Sequence, residues 1–373
     1  MHKRNDDYRI VIPIWGFSKA GGIRVLSNLA NCWAEQGIDV VVLCYYISDG
    51  PYFPIETKIQ YFDDLGNATG RIDPDNSNNM TKIDKLHGLI NESKGMLRVL
   101  NRLSDRYNVV IANLFYTAFS VSKCKIKHKY YYIQAYEAFE KEGGDSFSRF
   151  LLNCAVKKTY SLPLIRIVNA DLYKNYKEIS SSRVVYPGID LKLYFSKDTS
   201  YFSPIIKIGT IGRTEEWKGT ADVCRAMEIL DSEGVKFEFY LAFNDFETIP
   251  HRFVKPDGDD NLSAFYREMD IVVAACKGQH GAIHYPVIET MAVGSTIVCT
   301  DYYPSNITNA YKVNESSPEQ IAEAIKHIIN HKSEAIEKRN QAIKDVQQFD
   351  WPVLAKKFLG YIAEGDKQND HAK

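Results

Sequence analysis

Apolar residues along this chain fall into two alternating patterns: short runs that are almost unbroken, and longer stretches in which they recur every three or four positions. Tyr8 to Ile14 is a run of the first kind. It meets Gly16 and then the pair Gly21-Gly22, after which Ile23, Val25, Leu26, Leu29, Ala30 and Trp33 recur at helical spacing until Gly37. This reads as strand, glycine loop, helix and glycine stop. Asp39 to Tyr46 is short and nearly all apolar, as expected of a strand buried on both faces of a parallel sheet. The pattern is βαβ, and the expected fold class is α/β.

Between Gly66 and Lys82 there is almost nothing to bury, which predicts a mobile surface loop, and a helix is expected from Ile83 to Leu103. Val109 to Ala112 and Tyr130 to Ile133 read as further strands, each ending in polar and aromatic residues. Functional groups of open α/β sheets collect at such strand ends. Val184-Val185-Tyr186-Pro187-Gly188-Ile189-Asp190 reads as a strand and a turn, and the polar stretch that follows to Pro204 marks a hinge. A second alternation then begins, with strands at Ile205 to Ile211, Phe237 to Ala242, Ile271 to Ala275 and Thr296 to Thr300, and helices at Lys218 to Leu230 and Val287 to Val293. Ser317 to Gln348 is expected to be helical, Trp351 to Ile362 forms a last amphipathic helix with Pro352 in its first turn, and the tail from Glu364 is polar.

At 373 residues the chain exceeds one ordinary core and fits two domains, with a cleft as the expected ligand site. Its 45% hydrophobic and 25% charged residues describe an ordinary globular protein. A net charge of −1 argues against the broad basic footprint of a nucleic-acid binder. One local patch exists, Lys123, Lys125, Lys127, His128 and Lys129; it fits a solvated turn, or weak peripheral contact with an anionic membrane surface. Seven cysteines, Cys32, Cys44, Cys124, Cys154, Cys224, Cys276 and Cys299, show no metal-binding spacing and read as reduced thiols. The first residues are polar and no apolar run reaches the length of a leader or a spanning helix, so a cytoplasmic protein is expected.

Two segments carry candidate chemistry. Gly212-Arg213-Thr214-Glu215-Glu216-Trp217-Lys218-Gly219 joins a strand to a helix; such a loop supplies backbone N–H donors to a diphosphate, and Arg213 and Lys218 supply positive charge. A surface loop with two ordinary cations fits the same spacing. Gly281-Ala282-Ile283-His284-Tyr285-Pro286-Val287-Ile288-Glu289-Thr290-Met291-Ala292-Val293-Gly294 forms a second strand-to-helix turn. Glu289, placed in a first helical turn, either favours the helix dipole or accepts both hydroxyls of a ribose.

Together these segments resemble the retaining nucleotide-sugar glycosyltransferases of glycosyltransferase family 4. In that family a Gly-Arg loop with a following Lys-Gly precedes a stretch of the type Glu-Gly-Phe-Gly-Leu-Pro-Val-Leu-Glu-Ala-Met-Ala-Cys-Gly, whose second half matches Pro286 to Gly294. The resemblance extends to Gly21-Gly22, the Pro187-Gly188-Ile189-Asp190 turn, Asp260, Leu262 and Tyr266 ahead of Met269-Asp270-Ile271-Val272, and the closing Trp351 helix. It implies the GT-B fold: an acceptor-binding Rossmann-like domain over 1–195, completed by the helix 351–365, and a donor-binding domain over 204–348. By the same resemblance, Arg213 and Lys218 neutralise the leaving diphosphate, Glu289 holds the ribose, and Gly212, Tyr285, Pro286, Asp260 and Leu262 belong to the nucleotide site. The family's first glutamate falls on Gly281, with His280 beside it, so the hold on the donor sugar departs from the pattern. His284 either donates to the departing diphosphate or packs structurally at the turn. Gly21 and Gly22 either admit backbone close to phosphates or acceptor, or make a tight turn.

Gln134-Ala135-Tyr136-Glu137 is similar to the Gln-Asp-Tyr-Glu of bacterial members linked to rhamnose-containing polysaccharides. The resemblance therefore implies transfer onto a glycan or lipid-linked acceptor in bacterial surface polysaccharide synthesis, with dTDP-rhamnose as a candidate donor. In that role Gln134 contacts sugar, while Glu137 contacts sugar or serves as a surface or capping carboxylate. No Asp-x-Asp metal site is apparent, so no metal or other cofactor is expected. The alternatives are a nucleotide-sugar 2-epimerase of the same architecture and a catalytically silent carbohydrate-binding protein. A dinucleotide oxidoreductase is disfavoured because the first loop lacks GxGxxG.

Overall fold

The computed structural model describes residues 8–73, 82–137, 146–278 and 281–371. The chain divides into two compact units, Met1–Pro187 with Trp351–Lys373, and Gly188–Asp350. Both are α/β.

Unit 1 contains β1 (Arg9–Ile14), α1 (Gly21–Glu35), β2 (Asp39–Tyr45), β3 (Lys58–Phe62), β4 (Ala68–Thr69), α2 (Lys82–Leu103), β5 (Val109–Ala112), α3 (Phe115–Lys123), β6 (His128–Ile133), α4 (Ser146–Thr159), β7 (Ile165–Val168) and β8 (Arg183–Val184). They form one sheet in the order β4-β3-β2-β1-β5-β6-β7-β8. All pairings are parallel except β3 with β4. The centre is dry: every residue of β5 is buried, as are five of the six in β1. This is why those strands read as unbroken apolar runs.

Unit 2 contains β9 (Ile206–Ile211), α5 (Thr220–Ser232), β10 (Phe237–Ala242), β11 (Arg252–Val254), α6 (Gly258–Glu268), β12 (Ile271–Ala274), α7 (Tyr285–Val293), β13 (Thr296–Cys299), β14 (Tyr311–Lys312), α8 (Pro318–Asn330) and α9 (Lys332–Val346). Its parallel sheet runs β11-β10-β9-β12-β13-β14. In each sheet the strand order reverses direction beside the first strand, between β1 and β5 and between β9 and β12. Helices leave the carboxyl ends of the two flanking strands in opposite directions there, which opens a crevice for a ligand.

The last helix, α10 (Trp351–His371), belongs to unit 1 and closes its core. Trp33 of α1 donates its indole N–H to the Ala355 carbonyl at 3.0 Å and meets Phe358 edge-on at 5.3 Å. Tyr130 of β6 donates to the Ile362 carbonyl at 3.2 Å.

Three sequence expectations change. The stretch from Ser317 to Gln348 is two helices, because His331 leaves helical geometry at φ −128°, ψ 54° and serves as the end of α8 and the start of α9. The stretch from Gly66 to Lys82 is not wholly loop: Ala68–Thr69 pairs with β3, and Ile72 bridges Ile47; residues 74–81 lie outside the described residues. Finally β6 begins at His128, two residues earlier than expected, so this histidine is buried instead of sharing a solvated turn with Lys123, Lys125 and Lys127. Lys129 is half-buried and donates to the Ser122 carbonyl at 3.0 Å. Among the described residues no helix is long and apolar enough to cross a membrane.

Candidate functional site

In unit 2 the site grows from the carboxyl ends of β9 and β12. Gly212 follows β9, and its amide donates to the Ala242 carbonyl at 2.8 Å while its carbonyl accepts from the Asn244 amide at 3.0 Å. A Cβ there would lie 2.3 Å from the Asn244 carbonyl oxygen, so only glycine fits. Thr220, the first residue of α5, clips the loop shut: its hydroxyl accepts from the Arg213 amide at 2.9 Å and donates to the Arg213 carbonyl at 3.0 Å. Gly219 between them adopts φ +71°, and a Cβ on it would sit 2.0 Å from the Ala275 carbonyl at the end of β12. The Lys277 amide donates to the Trp217 carbonyl at 2.7 Å. The amino end of α5 is thereby seated against the end of β12, with its dipole and open N–H groups facing the switch point.

Arg213 is exposed, with its guanidinium 5.1 Å from the Phe243 ring. Phe243 itself has φ +74°, an uncommon conformation for a bulky residue and one found where surrounding structure over-determines the backbone. The Lys218 ammonium lies 3.8 Å from the centre of the Trp217 ring. Burial pushes its pKa down, and Arg213 adds to this while Cys276 opposes it. A cation held in this way gains when an anion arrives to offset both burial and its neighbour.

His284 ends the opposite loop at the residue just before α7, and its side chain makes no capping bond to the helix. Its ring stacks on Tyr302 with centres 4.6 Å apart, and Nε2 lies 3.2 Å from Cys276 Sγ. Burial, followed by the fields of Lys218 and Arg213, pushes its pKa down to about 3, so the imidazole is neutral at ordinary pH. The same two cations act on Cys276, whose thiol burial pushes up. Tyr302 donates to the Gly278 carbonyl at 3.0 Å, and the Gly278 amide donates to Glu315. Arg213, Lys218, Cys276, His284 and Tyr302 thus form one electrostatic group at the β9–β12 switch point.

Tyr285 and Pro286 open α7, and Pro286 fits there because early helical N–H groups have no partner in the helix. Glu289 falls in the second turn, not the first, and is only 2% exposed; the helix-dipole reading is therefore discarded. Its neighbour is Tyr266, whose phenol is pushed well up by burial and then by Glu289, with Arg213 acting in the opposite sense. Gly281 adopts φ +76°, which disfavours the glutamate found there in the resembled family. His280 lies outside the described residues. Asp260 and Leu262 lie near the start of α6, exposed and half-buried, and among the described residues no hydrogen bond or ion pair joins them to the Arg213 group.

Unit 1 has its own pocket, of about 540 Å³, at the β1–β5 switch point. Gly22, Gln134 and Glu137 line it together with Trp15, Phe17 and Tyr116. Gly21 opens α1 with nothing within 4 Å of where a Cβ would be, whereas a Cβ on Gly22 would approach the Gln134 amide to 3.2 Å. Gln134 donates to the Gly22 carbonyl at 3.2 Å. Glu137 is a buried cap: it accepts from the Phe115 amide at the start of α3 at 3.1 Å and from the Tyr131 hydroxyl at 2.9 Å. Sequence reasoning missed Thr220, Phe243, Cys276, Tyr302, Trp15 and Tyr116. An aromatic or hydroxyl residue just past a strand end was the only available signal.

Two α/β units, each built on a predominantly parallel sheet, make up the GT-B fold, and solved structures share it. A glycosyltransferase from Rickettsia africae superimposes with TM-score 0.66 at 14% identity, over 96% of this chain and 98% of that one. Anabaena HepE in complex with UDP gives 0.67 at 12%, over 95% and 100%. The catalytic domain of starch synthase IV from Arabidopsis thaliana, bound to ADP and acarbose, gives 0.65 at 13%, over 96% and 99%. Residues 206–331 match the family model for glycosyl transferases group 1. No curated protein sequence matches. The protein is a transferase enzyme with a GT-B fold.

Proposed function

We propose that this enzyme transfers a glycosyl group from a nucleotide diphosphate donor to a glycan acceptor with retention of configuration, as a member of family 4. The observation that carries the reading is the Arg213 and Lys218 pair beside the amino end of α5, with the start of α7 opposite. Breaking the sugar–phosphate bond leaves charge on the diphosphate, and fixed cations and backbone N–H groups stabilise that charge in the transition state. Neutral His284 is suited to donate a hydrogen bond, not a proton. In the step itself the anomeric C–O bond to phosphate breaks, the acceptor oxygen forms its bond on the same face, and the hydroxyl proton passes to a leaving-phosphate oxygen. Glu289 is assigned to the ribose hydroxyls.

HepE with UDP and starch synthase IV with ADP support a nucleotide diphosphate as the ligand class. The finer reading, rhamnosyl transfer from dTDP-rhamnose in surface polysaccharide synthesis, rests on Gln134-Ala135-Tyr136-Glu137. No metal is assigned a role. A thermal-shift screen against UDP, GDP, ADP and dTDP, each with and without EDTA, tests the proposal, because a ligand that binds only the folded state raises its stability. A shift selective for one nucleotide and insensitive to EDTA supports a metal-free donor site, and no shift with any of them contradicts it.

A further inference from the structure

Trp217 is the largest side chain of the loop that carries the two cations of unit 2, and it is 46% exposed. Its backbone is fixed on both sides: Glu216–Lys218 form one turn of 3₁₀ helix, the Trp217 carbonyl accepts from the Lys277 amide, and Gly219 is wedged against the Ala275 carbonyl. The ring therefore stands at a set place beside Lys218, whose ammonium lies 3.8 Å from its centre. This is well inside the reach of a cation–π contact, for which indole offers the best face. The loop also carries Glu215 and Glu216, both exposed, yet among the described residues neither forms an ion pair with Lys218 and no hydrogen bond ties its ammonium down. Arg213 repeats the arrangement, 5.1 Å from the Phe243 ring. Both cations thus rest on aromatic faces and not on carboxylates. An incoming anion would have to displace a carboxylate partner, whereas a ring holds the ammonium from one side and leaves N–H donors open on the other.

We propose that Trp217 is a positioning residue of the donor site: its indole face holds the Lys218 ammonium in the empty protein and keeps holding it while the ammonium meets the diphosphate. The inference rests on the diphosphate reading of this site and adds the group that aims Lys218. Trp217 acts through the lysine and needs no contact of its own with the nucleotide. A cation already ordered loses less side-chain freedom when the anion binds, and one kept off Glu215 and Glu216 needs no ion pair broken.

The test is a double-mutant cycle on the full chain, with calorimetric titration of UDP, GDP, ADP and dTDP into the wild type, Trp217→Leu, Lys218→Ala and the double variant. Trp217→Leu should weaken binding of the nucleotide that the wild type takes by about two- to fivefold, the size of an exposed cation–π contact. Trp217→Phe keeps a ring face and should retain most of the affinity. In the Lys218→Ala background the change at Trp217 should cost nothing further, an outcome that a merely structural role would not produce. A second readout needs no nucleotide. A protonated amine against an indole face quenches its emission, so Lys218→Ala should brighten the protein's fluorescence, and should not do so when Trp217 is already replaced by Phe. With nucleotide bound by the wild type, unchanged or tighter binding by Trp217→Leu, or losses that simply add in the double variant, overturn this inference alone. Emission unmoved by Lys218→Ala also overturns it. Absence of nucleotide binding by the wild type would instead contradict the diphosphate reading, and the emission result would still decide whether the ring seats the lysine.

Discussion

Replacing Gly219 by alanine should damage the donor site far more than the same change at Gly234, although both glycines border α5 and have nearly the same backbone. Gly219 precedes the helix at φ +71°, and Gly234 follows it at φ +77°. Alanine at either position meets the left-handed penalty of roughly 1–2 kcal/mol. The surroundings differ. A Cβ at 234 has nothing within 4 Å, whereas one at 219 would stand 2.0 Å from the Ala275 carbonyl oxygen. Neither atom there can rotate away, so the loop carrying Lys218 must lift from β12, at an overpacking cost of about 1–3 kcal/mol more. In a unit of this size each kcal/mol lowers the melting temperature by roughly 2–4 °C. Gly234→Ala should therefore melt a few degrees lower with unchanged nucleotide affinity. Gly219→Ala should melt lower still and bind nucleotide at least about tenfold more weakly, since about 1.4 kcal/mol of lost contact suffices. Scanning calorimetry with a nucleotide titration measures both. Equal melting and equal affinity in the two variants would refute the claim that the Gly219–Ala275 approach seats the site.

Glu289→Ala should weaken nucleotide binding by roughly 1–3 kcal/mol in a calorimetric titration if the carboxylate takes the ribose hydroxyls, and unchanged affinity would leave it a structural neighbour of Tyr266. Because the His284 pKa falls to about 3 in the folded protein, the unfolded chain takes up this proton first as pH drops below about 6.5; the histidine contributes full stability above that pH and loses it progressively below. Denaturation curves from about pH 8 to about pH 5 should therefore fall more steeply for the wild type than for His284→Asn, and parallel curves would show that the ring is accessible to protons.

The central strands were legible because both their faces are covered. Val109 to Ala112 and Phe237 to Ala242 have the bounds that their apolar runs indicate. β3 left a weaker trace because its residues are mostly half-exposed, and the break at His331 has no glycine or proline to announce it. Of the site, Gly212, Arg213 and Lys218 were readable from their place between a strand and a helix. The pairing of Cys276 with His284 and the stacking of Tyr302 were not, because they arise from contacts between separate loops. For Glu137 a capping role was among the readings the sequence offered, but its partner Phe115, 22 positions away in the chain, was not.

The most direct test of the account is a calorimetric titration of wild type and of Arg213→Ala/Lys218→Ala with the nucleoside diphosphate that gives the largest thermal shift. The account predicts binding to the wild type, with affinity that falls as salt rises, and a loss of at least about 3 kcal/mol in the folded double variant, since each charge-assisted bond contributes about 1.5–3 kcal/mol. Equal affinity in the two proteins would contradict it, leaving Arg213 and Lys218 as ordinary surface cations.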